Sequence, residues 1–241
     1  MSSPNPRSAF RVPHFVALEG PEGSGKTTQI HMLARALTAR GLTVQATREP
    51  GGTPIGEQLR AILLGTANHA MLPQTETLIL LAARAQHVAE IIEPALARGA
   101  IVLCDRYAGA TFAYQGYGRG LPLEVLRSLQ TFAAGACAPE LTLLFDLPVE
   151  VGLARRQATG DLNRLDAAGL DFHRRVRAGY RELAAADPAH WVLLDATQPA
   201  AEVTAQALRI LASRLRLPAV NSDPAGSDQR CVGQGVERGV R

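Results

Sequence analysis

The sequence predicts an α/β fold in which a five-stranded parallel sheet is flanked by helices on both faces. Three observations carry this expectation. Five short strand-like runs, four of them almost wholly apolar, recur along the chain, helical spacing fills most of the stretches between them, and the first run leads through a glycine-rich turn straight into a helix. Strands that are apolar along their whole length must be covered on both sides, and parallel neighbours need a helical crossover to join them.

Residues 15–18 (FVAL) form the first strand. Residues 30–37 follow with helical spacing through Leu33, Ala34 and Leu37, and Gly41 ends that helix. Residues 43–47 are the second strand. Residues 75–98 read as one long helix stopped by Gly99, and 101–104 (IVLC) as the third strand. Residues 141–145 (LTLLF) and 191–194 (WVLL) are the fourth and fifth, with helical patterns over 149–157, 171–186 and 200–214. Sheets of this kind bind their ligands at the carboxyl ends of the strands.

The chain has 241 residues, 46% apolar and 20% charged, which excludes collagen-like, disulfide-scaffold and wholly disordered classes. A chain this long buries about 70 to 75% of its unfolded surface and needs no metal or disulfide to hold a core. Residues 1–12 and 217–241 lack apolar periodicity and are rich in Pro, Ser, Gly and Asp, so the folded unit is expected to span 13–216, with tails on both sides. No run of 18 apolar residues exists, so no membrane span is expected. A net charge of +3, with no Lys/Arg run interleaved with aromatics, argues against nucleic acid as a partner. Cys104, Cys137 and Cys231 have no metal-ligand spacing and point to a reducing compartment, the cytoplasm. The six histidines form no HExxH pattern, so zinc chemistry is not inferred.

The first strand end carries the strongest signal. Residues 20–27, GPEGSGKT, fit GxxxxGK[ST] between a strand and a helix, the context of a P-loop NTPase fold. Its glycines let backbone N–H groups converge on phosphate oxygens, the helix N-terminus adds its dipole, and Lys26 reaches the β and γ phosphates. Of 25 cationic side chains, 24 are arginine and Lys26 is the sole lysine: the compact ammonium stands where a planar guanidinium would fit poorly. With no second lysine, the NKxD guanine-reading motif cannot exist, which argues against a regulatory GTPase.

Further segments cluster at strand ends or helix starts: REPGGT at 48–53, Arg60, Arg84, DRY at 105–107 and TFAYQGYGR at 111–119. GPEGSGKTT, TREPGGT, AARAQ, DRY and AYQGYGRG, in that order and at those separations, resemble the thymidylate kinase family in its bacterial form over about residues 15–214. The resemblance implies phosphoryl transfer from ATP to dTMP with Mg2+, a step of DNA precursor synthesis. It implies that Gly20, Gly23, Ser24, Gly25, Lys26, Thr27 and Thr28 hold the ATP phosphates, and that Thr27 and Asp105, with Glu49 nearby, serve the metal. Arg106 and Arg60 match the grip on the acceptor phosphate, and Glu22 the partner of the sugar 3′-hydroxyl. Arg84 matches the donor to base O4, and Thr111 and Gln115 match polar partners of the base. Tyr114 matches the ring that disfavours a 2′-hydroxyl. Residues 155–165 occupy the place of a lid, whose Arg155, Arg156 and Arg164 would supply transition-state charge, Arg164 being the better candidate. The family is commonly a homodimer, for which the 75–98 helix could serve.

Two positions depart from the family pattern. Gly23 stands where some members carry an arginine, which moves the burden of charge to the lid. Leu80 stands where an aromatic ring commonly stacks on thymine, a contact that contributes roughly 1 to 3 kcal/mol in other base-binding sites. On the residues alone, Asp105 can instead cap the next turn, Tyr114 can be core, and Arg155 and Arg156 can form a solvated helix end. The chain as a whole can be an ATP-binding regulator that has lost turnover, although such a switch needs no second phosphate grip.

Overall fold

The computed structural model describes residues 14–160 and 163–217, so the expectations for 1–12, nearly all of 217–241 and two lid positions lie outside them. The five runs become β1 (His14–Glu19), β2 (Val44–Arg48), β3 (Ile101–Asp105), β4 (Leu141–Asp146) and β5 (Trp191–Asp195), in one sheet ordered β2-β3-β1-β4-β5. Every pairing is parallel. In register, Asp105 lies opposite both Leu18 and Arg48. The turns that follow β1, β2 and β3 therefore open side by side at one edge of the sheet.

Successive strand residues point to opposite faces, and each face has its own core. Val16, Leu18, Ile101, Leu103 and Leu143 pack with Leu33 and Leu37 of α1 (Lys26–Thr38) and with Val203 and Leu211 of α9 (Ala200–Arg214). Phe15, Ala17, Val102 and Cys104 go the other way, against Val88, Ile92 and Tyr107. That second face is completed by Leu144 with Val176 and Tyr180 of α8 (Leu170–Ala186). Helices thus cover both faces, as the apolar runs require.

The expected 75–98 helix is corrected in its interior. It forms as α3 (Pro73–His87), a π-helical turn Val88–Ile92 and a short α4 (Glu93–Ala97). Pro94 is the cause: it has no N–H for the bond to residue 90 and its ring crowds that carbonyl, so the turn before it widens, with Glu93 N–H bonding to Val88 O. The boundary at 216 also moves, because Leu217 packs on the first core and its N–H bonds to Ala212 O at 3.2 Å. Arg60 lies on α2 (Pro54–Leu64), capped by Thr53, whose side chain accepts from Gly56 N–H. Between β3 and β4 lie α5 (Ala108–Thr111), a π-helical stretch Phe112–Gly118 and α6 (Leu123–Ala134). The last of these has no counterpart among the expected elements. It buries only Leu126 and Ala134, although Leu123, Val125, Leu129 and Phe132 are apolar too. The lid region begins on α7 (Val149–Ala158).

Candidate functional site

The loop after β1 is built to receive an anion. Gly25 adopts φ 83°, ψ 11° ahead of α1, and no side chain caps the helix, so its first-turn N–H groups remain available. Lys26 is buried and its ammonium donates three hydrogen bonds: to Gly20 O at 3.0 Å, Pro21 O at 2.9 Å and Ser24 Oγ at 3.0 Å. Burial and the nearby Arg106 guanidinium lower its pKa to about 8, against the pull of Asp105 and Glu22. A charge this poorly solvated gains much from a polyanion. Thr27 Oγ1 donates to Asp105 Oδ2 at 2.9 Å, joining the ends of the first and third loops in a pair of oxygen donors.

Gly23 has φ +68°, and a Cβ on it would lie 2.0 Å from the carbonyl oxygen of Gly152 in α7. The loop and the helix that leads to the lid touch backbone to backbone at this point. An arginine at position 23 would have to displace α7, which is a physical reason for glycine at that position.

The second half of the site centres on Arg106. Its backbone holds φ 70°, a left-handed conformation that non-glycine residues seldom adopt away from functional sites. Its Nη1 donates to Gly20 O at 3.0 Å and Tyr180 Oη at 3.1 Å, its Nη2 to Glu22 Oε1 at 2.9 Å, and its guanidinium lies over the Tyr114 ring at 4.9 Å. Tyr114 Oη donates to the same Glu22 oxygen at 2.9 Å. Burial pushes the Glu22 carboxyl up, but Arg106 and Lys26 overcome it and hold the pKa at about 2. Glu19, at the end of β1, accepts from the N–H groups of Tyr107 and Ala110 and from Tyr180 Oη at 2.9 Å, so it fixes the turn that carries Arg106.

One cleft of about 830 Å3 runs between these halves. Glu22, Gly23, Ser24, Gly25, Lys26, Thr27, Thr28, Glu49, Arg60, Leu80, Arg84, Asp105, Arg106, Thr111, Tyr114, Gln115, Arg155 and Arg156 all line it, which brings together most of the residues that the motifs pick out. Gly20 lies just behind, its oxygen taken by Lys26 and Arg106. Arg60 donates to Pro50 O at 2.8 Å. At the far end, Thr111 Oγ1 and Gln115 Oε1 are buried without a hydrogen-bond partner, although both residues border the cleft.

Two expected placements are corrected. Glu49 does not turn an open carboxylate to a metal: its Oε2 accepts from Arg84 Nε at 2.7 Å and its Oε1 pairs with His87 Nδ1 at 3.0 Å, in a buried cluster. Glu49 still borders the cleft, but each of its oxygens already has a protein partner, and Arg84 is held by it through Nε. Arg164 is not among the residues that line the cleft. Its guanidinium pairs with Glu76 at 2.7 Å and donates to Leu63 O at 3.0 Å, because the buried Glu76 charge offers it a stronger partner than solvent does. Arg155 and Arg156 do face the cleft; Arg156 is held by Asp166 at 3.0 Å and Arg155 donates to Ala196 O at 3.0 Å.

Several residues of the cleft wall and its support were not expected. The turn after β5, with Thr197, Gln198 and Pro199, forms the wall beside α1. Glu19, Glu76, Arg119 and Tyr180 act from behind the lining. Of these only Arg119 belongs to a motif, and no role was read for it; the partners of Glu19, Glu76, Arg119 and Tyr180 stand 39 to 161 positions away in sequence.

The Thymidylate kinase family profile matches residues 18–207. A thymidylate kinase of Pseudomonas fluorescens (strain Pf0-1) is 53% identical over 189 residues, 78% of this chain and 90% of that protein. One of Pseudomonas savastanoi pv. phaseolicola is 51% identical over 203 residues, 84% and 97% of the two chains. The crystal structure of thymidylate kinase from Ehrlichia chaffeensis superposes with a TM-score of 0.69 at 29% identity, covering 83% of this chain and 98% of that one.

Proposed function

The chain belongs to the thymidylate kinase family, its activity is phosphoryl transfer to dTMP as a nucleoside monophosphate kinase, and we propose that ATP is the donor and that the cleft seats the two nucleotides end to end. The observation that carries this arrangement is the single cleft lined at one end by the glycine loop and Lys26 and at the other by Arg60, Arg84, Arg106 and unpartnered polar atoms. Phosphoryl transfer asks for two polyanions held in line with their repulsion cancelled and water kept out, and for little covalent chemistry.

The roles follow from the groups. Loop N–H groups and Lys26 take the donor phosphates, Lys26 exchanging loop carbonyls for phosphate oxygens. Arg106, assisted by Arg60, takes the acceptor phosphate with paired N–H groups. Glu22 receives the sugar 3′-hydroxyl, Tyr114 packs beneath the sugar, and Leu80 covers a base face. Arg84 donates to base O4, and Thr111 and Gln115 complete the base contacts. Arg155 and Arg156 bring charge from the lid side. Mg2+ suits the Thr27 and Asp105 oxygens, since that ion takes few protein ligands and keeps waters and phosphates, and no cluster of three or more His, Cys, Asp or Glu side chains able to hold a metal exists among the described residues. When bound it would neutralise and align the donor phosphate oxygens.

ADP release is the test, measured with ATP and Mg2+ alone and then with dTMP, dUMP, dCMP or dGMP added. Strong stimulation by dTMP and little by dCMP or dGMP is expected. Slow hydrolysis that dTMP leaves unchanged would point to an ATP switch.

We further propose a homodimer through α3 and α6 in the cytoplasm. Leu72, Leu78, Val125 and Phe132 are all exposed around these two packed helices, Phe132 by 91%, an apolar surface that a second copy would cover. Phe132→Glu should sediment as a monomer at concentrations where the parent is a dimer; a dimeric variant would place the contact elsewhere. No helix among the described residues is long and apolar enough to cross a membrane, and the unpaired thiols of Cys104 and Cys137 suit a reducing compartment.

A further inference from the structure

Glu76 lies in the first turn of α3, where an acidic residue ordinarily faces solvent and complements the helix dipole. Here it is fully buried. It accepts from Gln115 Nε2 at 2.8 Å, from Arg119 Nη2 at 3.1 Å and from Arg164 Nη2 at 2.7 Å. Burial pushes its carboxyl up, but the bonds from Arg119, Gln115 and Arg164 more than reverse this and hold it below the ordinary glutamate value. An ionised carboxylate can only accept. The Gln115 amide must therefore turn its NH2 group to Glu76, which leaves Oε1 on the other side, buried and without a protein partner, in a residue that borders the cleft.

We propose that Glu76 is a positioning residue that sets the hydrogen-bonding sense of the base pocket: by holding the NH2 of Gln115 it presents an acceptor, Oε1, to the N–H of a uracil-type base. The inference rests on the reading that the acceptor nucleotide is dTMP and that its base lies against Gln115. Thymine and uracil carry a hydrogen on N3, whereas cytosine carries a lone pair there, so an amide locked in this sense welcomes the first two and opposes the third. A freely rotating glutamine would serve either, since its two ends differ little in size.

Glu76→Gln is the discriminating change. Its carbonyl would stay with Nη2 of Arg119 and of Arg164, its own NH2 would face Gln115 with loss of the longer 3.3 Å bond from Arg119 Nε, and the Gln115 amide would flip to offer NH2 to the cleft. The preference for dTMP over dCMP, read by competition binding, should fall by about 10- to 100-fold, the range expected when one buried polar contact is mismatched. Affinity for ATP should not move, Glu76→Asp should retain most of the preference, and on a Gln115→Leu background Glu76→Gln should no longer alter it. Equal weakening of dTMP and dCMP would make Glu76 merely structural and overturn the proposal. Should Glu76→Gln not fold, the native protein gives the answer by NMR: slow exchange of the Gln115 side-chain NH2 without nucleotide, and a shift of its carbonyl carbon with dTMP, are expected. Rapid exchange of that NH2 would overturn the proposal. A parent that binds no dTMP would instead overturn the reading beneath it.

Discussion

Lys26→Ala should lower kcat by about 10³-fold, the upper end of what one preorganised electrostatic contact contributes to a transition state, and should leave the protein folded. Fold and activity separate because Lys26 is a burden on the empty protein. Its ammonium is buried, shares the site with Arg106, and is satisfied only by two loop carbonyls and Ser24 Oγ. Alanine loses those bonds and also the cost of burying a charge, so Tm should change by no more than about 4 °C. Because the folded-state pKa is depressed to about 8, the unfolded chain binds the Lys26 proton more tightly than the native one does. Native stability therefore gains between pH 8 and the ordinary lysine value, and Lys26→Ala lacks that gain. The same titration should appear in kcat/KM for ATP, which falls as pH rises through about 8. As the sole lysine, Lys26 can be watched directly by reductive 13C-methylation, which gives one side-chain signal besides the N-terminus. A kcat/KM for ATP that is flat from pH 7 to 9, or substantial turnover by the alanine variant, would remove Lys26 from the donor site.

How much of this was legible in the sequence depends on how locally each feature is encoded. Strands β1, β3 and β4 were, because a strand buried on both faces has no polar alternation to confuse it, and the alternate residues of β1 and β3 indeed feed two separate cores. The glycine loop was too, since its conformation and its chemistry are set within eight residues. Pro94 carried a readable warning that the long helix would not be uniform, yet proline position alone does not say whether a helix stops or widens. The far side of the site was legible only in part. Thr111 and Gln115 stand in a motif, but the group that orients Gln115 is Glu76, 39 positions earlier, and resembles any first-turn acid. Glu49 and Arg164 show the same limit: their surroundings hold charges from distant segments, and these partners decide where each side chain points. Gly152 gave no signal at all, although its backbone closes against Gly23.

Arg106→Ala should lower kcat/KM for dTMP by about 10²-fold, the loss expected on removing a charge-assisted grip worth about 3 kcal/mol, while binding of a non-hydrolysable ATP analogue persists. Unlike Lys26, Arg106 also supports the resting structure. It pairs with Glu22, and both side chains are 16% exposed. Without it Glu22 is a largely buried carboxylate left with the Tyr114 hydroxyl and the more distant Lys26 charge, a situation that costs toward the lower end of about 3 to 5 kcal/mol. In the native protein the Glu22 pKa of about 2 lies below its unfolded value, so its contribution to stability is complete above the ordinary glutamate range and is lost only as pH falls toward 2. In the variant, burial prevails and the pKa rises. Protonation then relieves the unpaired charge, and the stability gap between native and variant should be widest near pH 7 and narrow as pH falls, measured by urea unfolding at pH 7 and pH 5. The backbone offers an internal control. Arg106 sits at φ 70°, so Arg106→Gly should be more stable than Arg106→Ala by about 1 kcal/mol and equally poor with dTMP, since glycine relieves strain without restoring charge. Arg106→Lys keeps the charge and loses the paired donors, and should fall between alanine and the parent in dTMP use. If all three variants kept the parent's kcat/KM for dTMP, the strained arginine would belong to the fold and not to the acceptor phosphate.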